Sequence, residues 1–515
     1  MTARLARIRP ALLRLAAPAL ALLAGGLLPL ALAPFHVWPL LAVSAGGLFL
    51  LLRRVTGSGT ALLLGWLYGV GKYAVGGSWI YVSIHVYGAA PPALAAFLVA
   101  LFVTGMALFP MAMAWMFSAL RRRVDGAANP CTDAALFSGL WVLFEWLLTW
   151  VLTGFPWLFA GYAMLDTPLV SLAPVGGVLL VSLAAVFTTA NLAVAVRSRL
   201  ALVWAALPWL LAAALAGVSW TDRGESRTVA LVQGNVPQEL KWQPESRQMI
   251  LGRYRDLTEQ VADRDIVIWP EAAIPVYLHR ASAYLDSVTK ATAGDLVLGI
   301  PIARAADEAA TLHNGAVSSG GGTYLKRRLV PFGEYVPLEG LLRGLIGFFD
   351  LPMSRSQPGE AQQPVLLAGG VSLAIAICYE IAYPDMVRRD AANAAALVTL
   401  SNDTWFGASI GPHQHMQIAR MRAVETGRYL LRATNNGITA IVDERGDPVP
   451  ARALLAGNTT NDVAALPQFQ AGVLDGAFHV VHGQTPFTRF GHIWLFAMVA
   501  LLAIAFVRAR TRSSA

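Results

Sequence analysis

Three ionisable residues of different kinds stand where short apolar runs stop. Cys378 ends the run 373–377 within AIAICYEIAYP, Glu271 follows VIWP, and Lys326 lies in TYLKRRLVPFGEYVP, which also carries Glu334. A short apolar run reads as a buried strand, so these groups are placed at strand ends. Together they suit acyl transfer through a thiol. A thiol is mostly protonated at neutral pH and needs a base before it attacks. The Glu271 carboxylate can take that proton. The Lys326 ammonium can lower the thiol pKa and stabilise an oxyanion, and the backbone N–H of Tyr379 would be a second donor. Each residue also has a plainer reading. A free Cys is often a small buried hydrophobe, Glu271 could be a solvated turn residue, and Lys326 with Arg327 and Arg328 could be a basic surface. Cys131, the other cysteine, has no comparable neighbours. His413 and His415 are alternative partners for the thiol. HQH at a helix start could also suggest a metal, but no Asp, Glu or Cys completes such a site, so no metal and no cofactor is expected.

The elements that must position these groups alternate between strands and helices. Strands are predicted over 228–232, 265–269, 295–302, 371–377 and 395–400, and a helix over 244–261. Residues 315–319 and 323–328 flank Gly320-Gly321-Gly322 and read as a hairpin. A helix over 413–431 and strands within 433–442 close the domain, an α/β sandwich pattern. The segment 338–363 is different. It holds Leu341, Leu342, Leu345, Ile346, Phe348, Phe349, Leu351 and Met353 and then turns polar. Long loops of this kind are functional or disordered. This one suits a lid that dips into lipid, or a short helix packed on the domain.

The composition is that of a membrane protein. Hydrophobic residues make up 56% of the 515 and charged residues 14%, against about 25% charged in ordinary globular domains. The mean hydropathy is +0.54. Apolar runs end at residue 32 and cover about 36–52, 60–78, 91–119, 134–152, 167–195, 199–220 and 493–507. They are read as eight transmembrane helices. Arg4, Arg7, Arg9, Arg53, Arg54, Arg121–Arg123, Arg197, Arg199 and the C-terminal arginines fall on alternate ends of these runs. The positive-inside rule makes those ends cytoplasmic and puts the soluble domain outside. The expected organisation is 1–227 with seven spans, 228–486 as a periplasmic catalytic domain, and 487–515 as a last span with a basic tail. The net charge of +8 does not indicate nucleic acid, because the basic residues sit at the ends of apolar runs. The two cysteines would lie on opposite sides and could not pair. Lys72 and Glu145 lie within spans, where a charge is a functional hypothesis by default, although Glu145 could lie near a helix end and snorkel. Aromatic residues of the outer loops, Trp157 among them, read as interface residues or substrate contacts.

At this point the motifs resemble a known family. Glu, Lys and Cys at successive strand ends resemble the nitrilase (carbon–nitrogen hydrolase) superfamily, and within it the chain is similar to the bacterial apolipoprotein N-acyltransferases. The likeness covers nearly the whole chain: LAPF (32–35), GFPWL (154–158), VQGNVPQELKW (232–242), WPEAAIP (269–275), LVPFGEYVP (329–337), ICYEIAYPD (377–385), SNDTWFG (401–407) and QIARMRAVETGRYLLRATNNGITA (417–440). The resemblance implies an αββα sandwich on a membrane bundle. It puts the catalytic Glu, Lys and Cys on Glu271, Lys326 and Cys378, and a glutamate that assists the lysine on Glu334. Trp242, Tyr379 and Glu380 match positions that handle substrate; from position alone, residues near Trp157 could hold the acyl chain. The implied reaction moves the sn-1 acyl chain of a phospholipid, typically phosphatidylethanolamine, to the N-terminal amine of a diacylglyceryl-Cys apolipoprotein. It runs through a thioester on Cys378, at the periplasmic face of the inner membrane, in a monomer. One departure is Leu148, where the family commonly has Arg after Glu-Trp-Leu. Two other readings remain: a membrane-tethered amidase acting on a small amide, and a non-catalytic scaffold that kept the fold.

Overall fold

In the computed structural model, which describes residues 16–123, 129–196, 198–304, 311–335 and 356–513, each of the apolar runs is helical. The helices are α1 (Ala16–Ala31), α2 (Leu40–Arg53), α3 (Ser58–Gly76), α4 (Pro92–Arg123), α5 (Pro130–Leu147), α6 (Ala173–Val194), α7 (Leu200–Leu215) and a C-terminal helix, Ile493–Ser513. Among the described residues, Pro92–Arg123 and Pro168–Val194 are long and apolar enough to cross a membrane, while α1, α2 and α7 are shorter apolar helices. These helices belong to one compact unit, comprising Met1–Tyr81, Pro91–Val218 and Phe490–Ala515. Small residues let its backbones approach closely. A Cβ on Gly71 of α3 would meet the Leu22 carbonyl oxygen of α1 at 2.1 Å. Arg53 and Arg121 both pair with Asp133, at 2.8 and 3.1 Å, which gathers the ends of α2 and α4 at the start of α5.

The second unit comprises Val82–Ala90 and Ser219–Arg489. Its boundaries fall at Ser219 and Arg489, whereas the sequence reading placed them at 228 and 486. Its strands are β1 (Thr221–Gln233), β2 (Ile266–Trp269), β3 (Asp295–Arg304), β4 (Thr311–Ser318), β5 (Thr323–Leu325), β6 (Leu366–Ala368), β7 (Val371–Ile377), β8 (Ala396–Ser401), β9 (Tyr429–Thr434), β10 (Ala440–Val442), β11 (Ala451–Leu455), β12 (Asn458–Val463) and β13 (Gly472–Gly483). Among the described residues they form two sheets, β12-β11-β13-β1-β2-β3-β4-β5 and β10-β9-β8-β7-β6. The pairs β1–β2, β2–β3, β7–β8 and β8–β9 are parallel.

Alternation at period two builds the layers. Val229, Leu231, Ile266 and Ile268 point into a core shared with Leu373, Ile375 and Ile377 of β7 and Val398 and Leu400 of β8. Ala230, Val232, Val267 and Trp269 point the other way, into a core with Ile250 and Tyr254 and with Ala281 and Val288. The latter pairs lie on α9 (Arg247–Glu259) and α10 (Leu278–Lys290), which follow the one-turn helix α8 (Gln238–Lys241). On the far side of the second sheet, α11 (Pro384–Ala391) packs on β7 and against α12 (Gly411–Thr426). The result is helix, sheet, sheet, helix. The helix expected over 413–431 stops earlier, at Thr426, because Gly427 takes a left-handed conformation (φ +60) that caps it. The chain then enters β9. The apolar stretch expected as a lid lies mostly in 336–355, outside the described residues.

Candidate active site

The ends of parallel strands, where open α/β sheets place ligands, deliver Glu271 and Cys378. Glu271 follows β2 after Pro270. Its turn presses on β3, and this requires a glycine there: a Cβ on Gly299 would lie 2.5 Å from the Pro270 oxygen and 2.6 Å from the Glu271 Cα. Cys378 follows β7 with φ +53, a left-handed conformation that a non-glycine residue holds only where its surroundings enforce it. Lys326 follows β5, its backbone N–H bonded to the Asn314 carbonyl at 2.8 Å. Glu334 lies in a turn whose Pro331 and Tyr335 form a bridge.

Lys326 and Asn314 each bridge two carboxylates. The Lys326 Nζ lies 3.2 Å from Glu271 Oε1 and 2.8 Å from Glu334 Oε2. The Asn314 amide donates to Glu271 Oε1 at 2.7 Å and to Glu334 Oε1 at 2.9 Å. The other Glu271 oxygen accepts the Asn402 backbone N–H at 2.9 Å. Glu271, Lys326 and Glu334 are buried, and the Cys378 thiol is half-buried.

Charge decides the protonation pattern. Burial alone would raise the Glu271 carboxyl. Lys326, the Asn314 amide, Lys241 and the Asn402 N–H outweigh it and hold the carboxyl below its usual range. Burial would lower Lys326, but Glu271, Glu334 and Cys378 outweigh it and hold the ammonium well above its usual range. Burial, and then the Glu271 charge, pushes the Cys378 thiol up against the pull of Lys326. The resting cluster is therefore a protonated thiol beside an ionised glutamate and a permanent ammonium. A thiolate forms there as its proton passes to Glu271, which keeps one negative charge beside Lys326.

A second network holds the nucleophile from behind. His415 of α12 meets the Cys378 carbonyl through Nε2 at 3.1 Å and Asp403 Oδ1 through Nδ1 at 3.1 Å. Asp403 also accepts from Arg432 at 2.7 Å and from the Ser401 hydroxyl at 2.6 Å. Burial and the Arg432 charge depress His415, whose ring bridges the Cys378 carbonyl and the Asp403 carboxylate through its two nitrogens. Of the two histidines set beside the thiol in the sequence reading, His415 thus grips the backbone of Cys378.

Other expected site residues fall differently. Tyr379 is half-buried beside Tyr383, with ring centroids 5.3 Å apart. Trp242 is exposed at the end of α8. Glu380, expected to handle substrate, is 0% exposed and turned inward. Its carboxylate accepts the N–H groups of Ile377, Arg327 and Arg328 at 2.8, 2.7 and 3.1 Å and the Tyr324 hydroxyl at 2.9 Å. It clips the residues after Lys326 to the strand that carries Cys378, because a buried carboxylate must find donors. Trp157 belongs to the helical unit and is buried between Phe155 and Trp79, at centroid distances of 6.0 and 5.5 Å. The sequence reading did not single out Asn314, Asn402, Asp403 or Lys241. A signal existed for Asn314, since Asn is disfavoured inside a strand and needs a reason to be there.

Two family models match the chain: "Apolipoprotein N-acyltransferase N-terminal domain" over residues 24–191 and "Carbon-nitrogen hydrolase" over residues 228–460. An apolipoprotein N-acyltransferase of Pseudomonas aeruginosa (strain UCBPP-PA14) is 46% identical over 495 residues, 93% of each chain. One from Azotobacter vinelandii is 45% identical over 509 residues, covering 96% of this chain and 95% of its own. One from Vibrio cholerae is 40% identical over 519 residues, covering 96% and 98%.

Proposed function

The chain belongs to the apolipoprotein N-acyltransferase family, and from that premise we propose how its residues carry the transfer. The acyl donor is a phospholipid, phosphatidylethanolamine foremost, and the bond that breaks is its sn-1 ester. The Cys378 sulfur attacks the ester carbonyl while its proton passes to Glu271. The oxyanion forms beside the Lys326 ammonium and the Tyr379 backbone N–H. Collapse breaks the ester C–O bond, and Glu271 returns the proton to the departing alcohol oxygen. A lysophospholipid leaves and a thioester remains on Cys378. The N-terminal amine of the diacylglyceryl-Cys apolipoprotein then attacks the thioester. Glu271 takes the amine proton, the C–S bond breaks, and the sulfur recovers the proton as the amide forms. Glu334 holds Lys326 from its other side, and Trp242 and Tyr379 offer contacts for the lipids.

The observation that carries this reading is Cys378: a thiol on a left-handed turn after β7, coupled electrostatically to Glu271 and Lys326. Incubation with phosphatidylethanolamine and intact-mass measurement test it. The wild type should gain one acyl chain, and Cys378→Ala should gain none. An acyl adduct that survives Cys378→Ala overturns the thioester route.

The helices of the first unit, α1 to α7 and the C-terminal helix, serve as eight spans, with the second unit on the periplasmic side of the inner membrane, in a monomer. The alternation of arginine clusters supports this, as does the sharing of Asp133 by Arg53 and Arg121. Single cysteines at Arg122 and at Asn461, in a chain carrying Cys131→Ala and Cys378→Ala, test it with an impermeant maleimide. Asn461→Cys should label in intact spheroplasts and Arg122→Cys only after lysis. The reverse pattern would invert the topology.

A further inference from the structure

Lys241 is the last residue of α8 and is only 1% exposed. Lysine is almost never this buried unless it is paired. Yet the acceptor its ammonium reaches among the described residues is the Glu271 backbone carbonyl, at 3.3 Å. Among the described residues its remaining N–H groups find no acceptor, inside a site already crowded with charge. The bookkeeping is simple. Glu271 and Glu334 carry two negative charges, Lys326 one positive charge, and the Cys378 thiol is neutral. Without another cation the cluster holds a net negative charge, which opposes both the thiolate and the oxyanion. Lys241 supplies the missing charge.

We propose that Lys241 is a positioning residue of the acyl-transfer site, a second ammonium that acts through Glu271 by fixing its turn and balancing the negative charge of its carboxylate. This rests on the reading of Glu271 as the proton carrier. The groups facing it are Glu271 after β2 and, beyond that carboxylate, Lys326 after β5, Glu334 and Cys378; Glu239 lies on its own helix. Glu271 carries the charge that acts on it directly. Burial brings Lys241 down to about 8, against the opposing pull of Glu271. The sign follows. Below about 8 the ammonium is present and Glu271 is supported; as pH rises through that value the support is lost. Lys326, held far higher, does not titrate in this window.

The test is the rate of acyl-enzyme formation on phosphatidylethanolamine micelles, read by intact mass from pH 6 to pH 10 in the full-length protein. The wild type should lose rate on an alkaline limb near pH 8. Lys241→Gln should be at least about tenfold slower at pH 7, with that limb gone, and Lys241→Arg, charged throughout, should move the limb upward. Wild-type rate and limb in Lys241→Gln overturn the proposal. If Lys241→Gln does not fold, an unmoved limb in Lys241→Arg overturns it equally. Cys378→Ala separates the two levels: an adduct there defeats the thioester reading itself, whereas its absence together with an unchanged Lys241→Gln profile defeats the role of Lys241 alone.

Discussion

At the scale of single residues, the site rests on Cys378 in a conformation that costs energy. The cost of a left-handed non-glycine residue is of order 1–3 kcal/mol and is met by surrounding contacts. The grip of His415 on the Cys378 carbonyl is one such contact, and Asp403 stands behind it. Asp403 and Arg432 are both fully buried and paired. Asp403→Asn leaves the Arg432 charge without its partner, so we expect a loss of about 3–5 kcal/mol in chemical denaturation. Burial would raise the Asp403 carboxyl, but Arg432 and His415 outweigh it and hold the carboxyl well below its usual range. Its contribution is thus fully present above the unfolded value near 4 and is lost as pH falls toward the folded one. The gap between wild type and Asp403→Asn should therefore be flat from about pH 7 to pH 5 and shrink in acid. A gap independent of pH down to about 2 would show that the carboxylate charge is not what matters. Of these residues, Cys378, Glu271 and Lys326 were legible because each follows an apolar run. His415 was named only as an alternative partner for the thiol, and Asp403 not at all, because the partners of both are distant in the chain.

At the scale of elements, the strands place the chemistry and the turns between them tolerate little change. Val371–Ile377 was readable as a strand to the residue, whereas β1 begins at Thr221, well before the predicted 228. Its early residues are polar and exposed, and only pairing with β13 holds them in a ladder. The last strands, β11 to β13, were missed, since a pairing between β1 and β13 leaves no local pattern. Gly299 gives an element-scale prediction. Gly299→Ala would drive a Cβ into backbone atoms of Pro270 and Glu271, which cannot rotate away. We expect a loss of about 1–3 kcal/mol of stability, with acyl-enzyme formation slowed as the Glu271 turn is displaced. Melting and intact-mass kinetics check both; a variant equal to wild type in each would mean that the turn can move aside.

At the scale of the whole molecule, the helical unit carries its own buried charges. Lys72 Nζ lies over the rings of Tyr73 and Trp141 at 5.3 and 5.9 Å. Glu145 Oε1 accepts the Trp141 indole N–H and the Ala160 backbone N–H, each at 2.8 Å, while the Tyr73 hydroxyl has no partner among the described residues. These residues line a cavity of about 30 Å³ together with Leu148, room for ordered water. Both residues are buried, at 4% and 3% exposure, so snorkelling does not describe Glu145. Removing one charge strands the other. Glu145→Gln and Lys72→Met should each destabilise the protein, and the double variant should lose less than their sum, by about 0.5–3 kcal/mol in a detergent-solubilised denaturation cycle. Strict additivity would show that the two charges do not communicate.

What the sequence determined by itself was local. Apolar runs became helices, period-two alternation became two-faced strands, and the order of long motifs pointed to the family that the relatives confirm. Tertiary structure alone decided which groups converge. Asn314 from within β4, the Asn402 amide from after β8 and Lys241 from α8 meet at Glu271, and Glu380 turns inward instead of toward a substrate. The reason is physical. Periodicity records which face of an element is buried, but a hydrogen bond between residues far apart in the chain exists only once two sheets have packed.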